Sequence, residues 1–376
     1  MSGKMKIRTG WRTATLQDLV FFQRGYDITK AEQKPGDIPV VSSSGINSYH
    51  SEYKVDGPGV VVGRKGSLGT VHYVDGPYWP HDTTLWSKDL KGNNARFVYY
   101  FLRTMNFERY NVGNANPTLN RNHIHGLEIL IPDLVIQNKI ASMLSTYDDL
   151  VENNQRRIEL LEQAARLLYR EWFVHLRFPP GHEHVRIVDG VPEGWEKKPL
   201  SEVADIIMGQ SPKSIYYNEE GNGLPFHQGV TNFGIRFPSH QTYCTVINRL
   251  AEPGDILFSV RAPVGRINIT PDKIVIGRGI AAIRSNCGQQ NFLFYALKSH
   301  FFKEDMMGGG AIFAAITKKD LHRVEILQAT DRIAEMFIEH TRAIDLQIEN
   351  LQQAIDDLTQ ARDLLLPRLM NGEIAV

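Results

Sequence analysis

The sequence predicts a mixed α/β chain of the α+β kind. Two lobes stand in tandem repeat, separated by an antiparallel coiled coil of two long helices, with pseudo-twofold character. Three observations predict it. Blocks of residues recur in the same order at a nearly constant offset. Each copy opens with a stretch rich in Gly, Pro and short β-branched runs, which reads as short strands joined by many loops. Each copy closes with one long helix whose apolar residues step by four and three.

The repeat organises everything else. Trp11, Leu16, Leu19 and Gly25 return as Trp195, Leu200, Val203 and Gly209, an offset of 184. The string FVYYFLRT at 97–104 matches FLFYALKS at 292–299, offset 195. Gly113, Ile124, Glu128 and Ile129 answer to Gly310, Leu321, Glu325 and Ile326, offset 197. Ile140, Ala141, Met143 and Ile158 answer to Ile333, Ala334, Met336 and Leu351, offset 193. A drift of a few residues is what loop insertions produce in a duplicated architecture.

The elements follow in order. Residues 1–133 form the first lobe, with short runs such as GVVVG at 59–63 and one helical stretch, FVYYFLRTMNF. Residues 134–179 form the first long helix. Its seam is predicted at Ile140, Met143, Tyr147, Leu150, Asn154, Leu161 and Leu168, with Ile136, Arg157 and Ala164 in the same register. Residues 180–328 form the second lobe, with DKIVIG at 272–277 and the helical stretch FLFYALKSHFF. Residues 329–376 form the second long helix, with its seam at Ile344, Ile348, Leu351, Ile355 and Leu358, extending to Arg362 and Leu365. Neither helix is expected to hold an internal proline, since Pro179 and Pro180 follow the first and Pro367 comes late in the second. Some 36 helical residues span roughly 54 Å, too long for one small lobe to cover. Two such helices in one chain pair with each other, and polar Asn154 and Arg157 would fix their register. Antiparallel pairing would place the lobes at opposite ends.

Composition excludes several classes. At 376 residues, with 42% apolar and 22% charged side chains, the chain is an ordinary globular protein rather than a disordered one. Lys+Arg and Asp+Glu both number 42, so bulk basicity cannot drive nucleic-acid binding and any such binding relies on local patches. The charge is uneven: residues 1–135 carry 16 basic and 12 acidic groups, and residues 329–376 carry 4 and 9. The two cysteines, Cys244 and Cys287, are far apart, which speaks against a disulfide framework and for a reducing compartment. No apolar run reaches the length of a membrane span, and MSGKMKIRTG lacks a signal-peptide core; a cytoplasmic location is expected.

Catalytic motifs are missing. GRKGSLGT at 63–70 is glycine-rich but has neither the ending nor the helix-opening context of a phosphate-binding loop. Asn116-Pro117-Thr118 falls short of the Asn/Asp-Pro-Pro-aromatic string with which amino-methyltransferases hold a target base. His182 with His184, and His123 with His125, lack further ligands at metal spacing. No Gly-x-Ser-x-Gly nucleophile elbow occurs. The chain is therefore read as noncatalytic and metal-free.

A two-lobed, noncatalytic chain calls for a bipartite ligand. Duplex DNA is one, because its major-groove face recurs about every 34–36 Å. Base edges are read by Asn, Gln, Arg, Lys, Ser and Thr on exposed loops. The first lobe offers Ser42, Ser43, Ser44, Asn47, Arg64, Lys65 and Ser67. The second offers Gln210, Ser211, Lys213, His227, Gln228, Thr231, Asn232, Arg261, Arg266 and Arg278. Similar places with different letters would suit two readers of different half-sites.

Several strings carry a family resemblance. They are Trp11…Leu16-Gln17-Asp18-Leu19 with its repeat Gly194-Trp195…Leu200-Ser201-Glu202-Val203, the stretch from Leu127 to Pro179, AEPGDILFSVRAPVGRI at 251–267, and LLLPRLMNGEI at 364–374. Over residues 11–374 the chain resembles the DNA specificity subunit of type I restriction–modification systems. The resemblance implies two target-recognition domains of mixed α/β structure alternating with two conserved long helices. It implies a split double-stranded DNA target, with the coiled coil setting the gap. It implies two methyltransferase subunits and ATP-dependent restriction subunits as partners. S-adenosylmethionine and ATP would sit on those partners, with no cofactor on this chain. In one departure, Gln328-Ala329-Thr330-Asp331 lacks counterparts of Pro132 and Gln137, so the second long helix is expected to start less regularly. The rival reading is a noncatalytic adaptor whose rod spaces two protein-binding lobes.

Overall fold

A computed structural model describes residues 9–111, 118–301 and 315–376. The Gly113–Gly310 pairing and the Asn116-Pro117 string lie outside the described residues. The chain forms two compact units, Met1–Asn153 with Ile355–Val376, and Asn154–Ala354. Each unit thus combines one lobe with a portion of both long helices.

In the first unit, β1 (Trp11–Thr15) leads into α1 (Leu16–Leu19), whose start is closed by a capping box between Thr15 and Asp18. There follow β2 (Phe21–Arg24), β3 (Ile38–Ser42), β4 (Gly45–His50), β5 (Gly59–Gly63), β6 (Val71–Val74), β7 (Trp79–Pro80) and β8 (Thr84–Asp89). Then come α2 (Ala95–Arg103), α3 (Arg121–His125), β9 (Glu128–Pro132) and α4 (Leu134–Tyr169). One sheet runs β2-β8-β5-β6, a second β4-β3-β7, and β1 pairs antiparallel with β9. GVVVG at 59–63 is the fully buried β5, as an uninterrupted β-branched run requires. Asn94 caps α2 by accepting the Phe97 N–H, and its buried face of Phe97, Phe101 and Leu102 joins one core. Ile140, Ala141 and Leu144 from the start of α4 enter the same core with Leu366 and Leu369 from the end of the chain.

The second unit repeats the plan. Beyond a π-helical turn at Arg170–Val174 lie the short hairpin β10 (Ile187–Val188) and β11 (Val191–Pro192), then β12 (Glu196–Pro199), α5 (Leu200–Val203) and β13 (Ala204–Met208). Eight strands follow: β14 (Tyr217–Asn218), β15 (Leu224–His227), β16 (Tyr243–Cys244), β17 (Leu250–Ala251), β18 (Ile256–Ser259), β19 (Ile267–Ile269), β20 (Ile274–Ile276) and β21 (Ile280–Ser285). The unit closes with α6 (Gln290–Phe301), α7 (Lys318–His322), β22 (Glu325–Gln328) and α8 (Asp331–Met370). The order β13-β21-β18-β19 reproduces β2-β8-β5-β6, and the pair β12-β22 reproduces β1-β9. The duplication read from the sequence is therefore a duplication of topology.

The long helices run antiparallel within each unit. In the first, Asp148 of α4 binds Arg362 of α8, and the earlier Ile140 and Leu144 share a core with the later Leu366 and Leu369. In the second, Tyr169 and Trp172 pack on Phe337, while the earlier Glu162 shares Arg236 with the later Asp345.

The predicted seam of α4 needs correcting. Met143 and Leu150 are 40% and 45% exposed, and Arg157 and Ala164 are exposed as well. Leu144, Ile158 and Ala165, one residue further on, are fully buried. Ile140 is buried, and Tyr147, Asn154, Leu161 and Leu168 are half-buried. The buried stripe therefore steps four residues from Ile140 to Leu144, where the sequence reading stepped three. Both steps keep the heptad, so periodicity alone does not choose between them. In α8, Ile348, Leu351 and Ile355 are buried and Ile344 and Leu358 half-buried. Pro367 also lies inside α8, which continues to Met370.

The two long helices begin differently, as the departure at Gln328–Asp331 suggested. Buried Gln137 donates to Asn93 Oδ1 and Pro132 C=O and accepts the Asn94 N–H. The start of α8 has instead a bond from Gln289 to Asp331, yet the helix is regular from Asp331 onward.

Candidate nucleic-acid interface

Both units build one backbone frame from the same hydrogen bonds. Gly25 N–H donates to Thr84 C=O, as Gly209 does to Ile280. Tyr26 donates to Pro80, as Gln210 does to Ile276. His81 donates to Val41, as Gly277 does to His227, and Thr84 donates to His81 as Ile280 does to Gly277. Arg64 donates to Thr83 as Val260 does to Gly279, at 2.8 and 2.9 Å. Gly69 closes a turn onto Gly63 as Gly265 closes one onto Ser259. Lys65 bridges Thr118 as Arg261 bridges Ala315. The glycines are required by space: a Cβ on Gly25 would lie 2.1 Å from the His81 carbonyl oxygen, and one on Gly209 2.2 Å from that of Gly277.

Side chains differ on this shared frame. In the second unit it gathers Gln210, Ser211, Gln228 and Arg278. Ser211 Oγ donates to Gln228 Oε1 at 2.6 Å and accepts the Arg278 N–H at 3.1 Å. Arg261 and Arg266 share the turn between β18 and β19, and both are exposed, as is Arg278. Lys213 is exposed two residues beyond Ser211. Exposed Thr231 and half-buried Asn232 belong to a separate excursion, closed by Ser239 N–H on Asn232 C=O and Gly234 N–H on Phe237 C=O.

In the first unit the frame gathers Ser43, Arg64, Lys65, Ser67 and Thr83. Ser44, Asn47, Lys65 and Ser67 are exposed and Arg64 is half-buried. One Arg64 guanidinium nitrogen is buried without a hydrogen-bond partner among the described residues. Burial, with Arg24 nearby, draws the Arg64 guanidinium below its usual range.

Three predicted readers are corrected by burial. Ser42 is 8%, Ser43 7% and His227 3% exposed. Ser42 Oγ bonds Ser44 Oγ and the Gly45 carbonyl, and Ser43 C=O accepts from Thr70 Oγ1. His227 Nε2 pairs with His240 Nδ1 at 2.9 Å, and His240 Nε2 lies 3.1 Å from Asp272 Oδ2. The Ser42 and His227 side chains bond within the frame, and Ser43 joins it through its backbone. Burial, then the neighbouring His240, pushes the His227 imidazole down to about 4.

Sequence reasoning missed Arg24, Asp27, His81 and Asp82. Asp82 sits at 2.9 Å from Arg24 Nη2 and 3.1 Å from His81 Nδ1, and the ligand atoms of Asp27, His81 and Asp82 lie within 4.8 Å of one another. An open cleft of 760 Å³ beside them is lined by Gln23, Arg24, Asp27, Lys88 and Arg121. The signal was available: the offset that pairs Gly25 with Gly209 also pairs Asp27 with Ser211.

The chain matches the type I restriction modification DNA specificity domain over residues 8–163 and again over 192–355. It belongs to that family. Each matched segment contains one copy of the frame. A Methanocaldococcus jannaschii relative named for the MjaX type I restriction enzyme specificity subunit is 36% identical over 263 residues, 69% of this chain. The match spans 62% of that relative's own length. The type I restriction enzyme MjaIX specificity subunit of the same organism is 26% identical over 302 residues, covering 75% of this chain and 69% of the relative. The crystal structure of a type I restriction-modification S subunit from M. genitalium shares the fold, with a TM-score of 0.57 at 19% identity, covering 98% of this chain and 99% of that one. Among the described residues, no helix is long and apolar enough to cross a membrane.

Proposed function

We propose that this chain is the DNA specificity subunit of a type I restriction–modification complex and reads a bipartite duplex target, one half per unit. The observation that carries this reading is the repeated frame: the same backbone hydrogen bonds, holding different exposed polar side chains, in two copies of one family domain. A rigid frame with variable contents is what two readers of different sequences need. The paired long helices set the number of unread base pairs between the halves. They also dock two methyltransferase subunits, which carry S-adenosylmethionine, and restriction subunits, which use ATP. The chain contributes specificity in the cytoplasm and performs no chemistry of its own. With 42 basic and 42 acidic residues, it relies on those partners for much of the phosphate contact that dominates affinity.

The test is modified-base sequencing of DNA from cells that express the chain with its methyltransferase subunit, against cells lacking the chain. A split methylated motif that disappears with the chain is the expected result. A methyltransferase that modifies the same motif without the chain would overturn the reading.

A further inference from the structure

The shared frame makes the two units comparable position by position. His81 and Thr83 bind the backbone as Gly277 and Gly279 do, so Asp82 and Arg278 occupy the same place between them. Gly25 and Tyr26 bind as Gly209 and Gln210 do, so Asp27 and Ser211 coincide as well. In each unit the two positions face each other. Asp27 and Asp82 have carboxylate oxygens within 4.8 Å, and Ser211 Oγ accepts the Arg278 N–H. The frame thus holds a pair of carboxylates in the first unit and, in the second, a hydroxyl bonded to the backbone of an exposed arginine.

The surroundings share that contrast at some positions and not at the Lys65–Arg261 pair, which is basic in both units. Arg261, Arg266 and Arg278 are exposed, and among the described residues none pairs with a carboxylate. The matching place for Arg266 in the first unit is Thr70, since Gly63 binds Thr70 as Ser259 binds Arg266. Arg24 engages one oxygen of Asp82 and His81 the other. A carboxylate offers about four acceptor sites, so Asp82 keeps capacity and exposed Asp27 keeps more. In the major groove, Asp accepts from the cytosine N4 amine, while Arg donates in bidentate fashion to guanine O6 and N7.

Resting on the proposed DNA-reading role, we propose that the two half-sites are read with opposite hydrogen-bonding polarity. Asp27 and Asp82 accept from a cytosine amine in one half, and Arg278 donates to a guanine in the other.

The experiment uses the full chain assembled with its methyltransferase subunit, in wild-type form and as Asp27→Ala, Asp82→Ala and Arg278→Ala. Modified-base sequencing reads both half-sites at once. The expected result is that each aspartate variant relaxes one G·C position in one half only, and Arg278→Ala relaxes one in the other half only. Discrimination at that position should fall roughly 5- to 150-fold, the range for one good base contact. The untouched half reports that the variant is folded. Duplexes with 7-deazaguanine then separate the polarities, since this base lacks the N7 acceptor. Replacing the guanine in the half read by Arg278 should weaken binding, whereas the same replacement at the position read by the aspartates should not. Aspartate variants that leave both halves unchanged, or equal sensitivity to 7-deazaguanine in both halves, would overturn the inference. A wild-type complex with no chain-dependent motif would instead overturn the function on which it rests.

Discussion

His227 shows how a residue chosen for its chemistry can belong to the scaffold. Its ring lies under the frame, next to His240, and its C=O accepts the Gly277 N–H. Burial drives its folded-state value down to about 4, against about 6.5 for an unperturbed histidine. A depressed imidazole favours the neutral form in the fold. Its contribution to stability is therefore fully present above about pH 6.5 and is lost as pH falls toward 4. The lost stability amounts to about 3 kcal/mol by linkage. Urea denaturation between pH 7 and 4 should show this loss in the wild-type chain and a shallower one in His227→Gln. Parallel curves would show that another group is responsible. Asp27 and Asp82 illustrate the converse. They were passed over because single-position reasoning favours basic and amide side chains on a DNA-binding loop. Only the frame's hydrogen bonds set Asp82 against Arg278.

At the scale of elements, the long helices were legible in existence and direction, while the first ends at Tyr169 rather than at residue 179. α4 has the 36 residues its heptad pattern predicts. Its buried face was misread by one residue, because Met143 and Leu150 are as apolar as Leu144 and Val151. The choice is settled by what packs against the helix: Leu144 enters the core that holds Leu366 and Leu369, and Ala165 enters the one that holds Phe337. Leu144→Ala and Ile158→Ala should therefore each cost about 2–5 kcal/mol, and Met143→Ala and Leu150→Ala about 0.5 kcal/mol or less. Chemical denaturation of the four variants checks this, and equal losses would restore the original register. A further tie of helix to lobe was invisible in the sequence. Buried Arg236 meets Glu162 of α4, Asp345 of α8 and Tyr295 of α6, and Lys298 meets Glu162 as well. Burial opposes the charge on Glu162, but the Lys298 and Arg236 cations outweigh it and hold the carboxyl below its usual range. Nothing in local periodicity singles out an arginine in the 230–239 excursion, since its partners lie dozens of residues away.

On the scale of the whole molecule, the repeat was the informative signal. It predicted the doubled topology because the framework residues Trp11, Leu16 and Gly25 are constrained in both copies by packing and close backbone approach. Side chains on the frame are free of that constraint, so their identities had to be found by matching hydrogen bonds. The structure also redraws the natural boundary for exchange. The second compact unit is residues 154–354, which keeps Arg236 together with Glu162 and Asp345, whereas a cut at residue 180 would separate Arg236 from Glu162. The central claim, that each unit reads one half of a split target, is tested most directly by exchanging residues 154–354 for the matching unit of a family member with a different target. The hybrid is then sequenced for methylated motifs in complex with the methyltransferase subunit. The predicted result is a motif whose first half is unchanged and whose second half is the donor's. A hybrid that keeps both original halves, or changes both, would contradict the account.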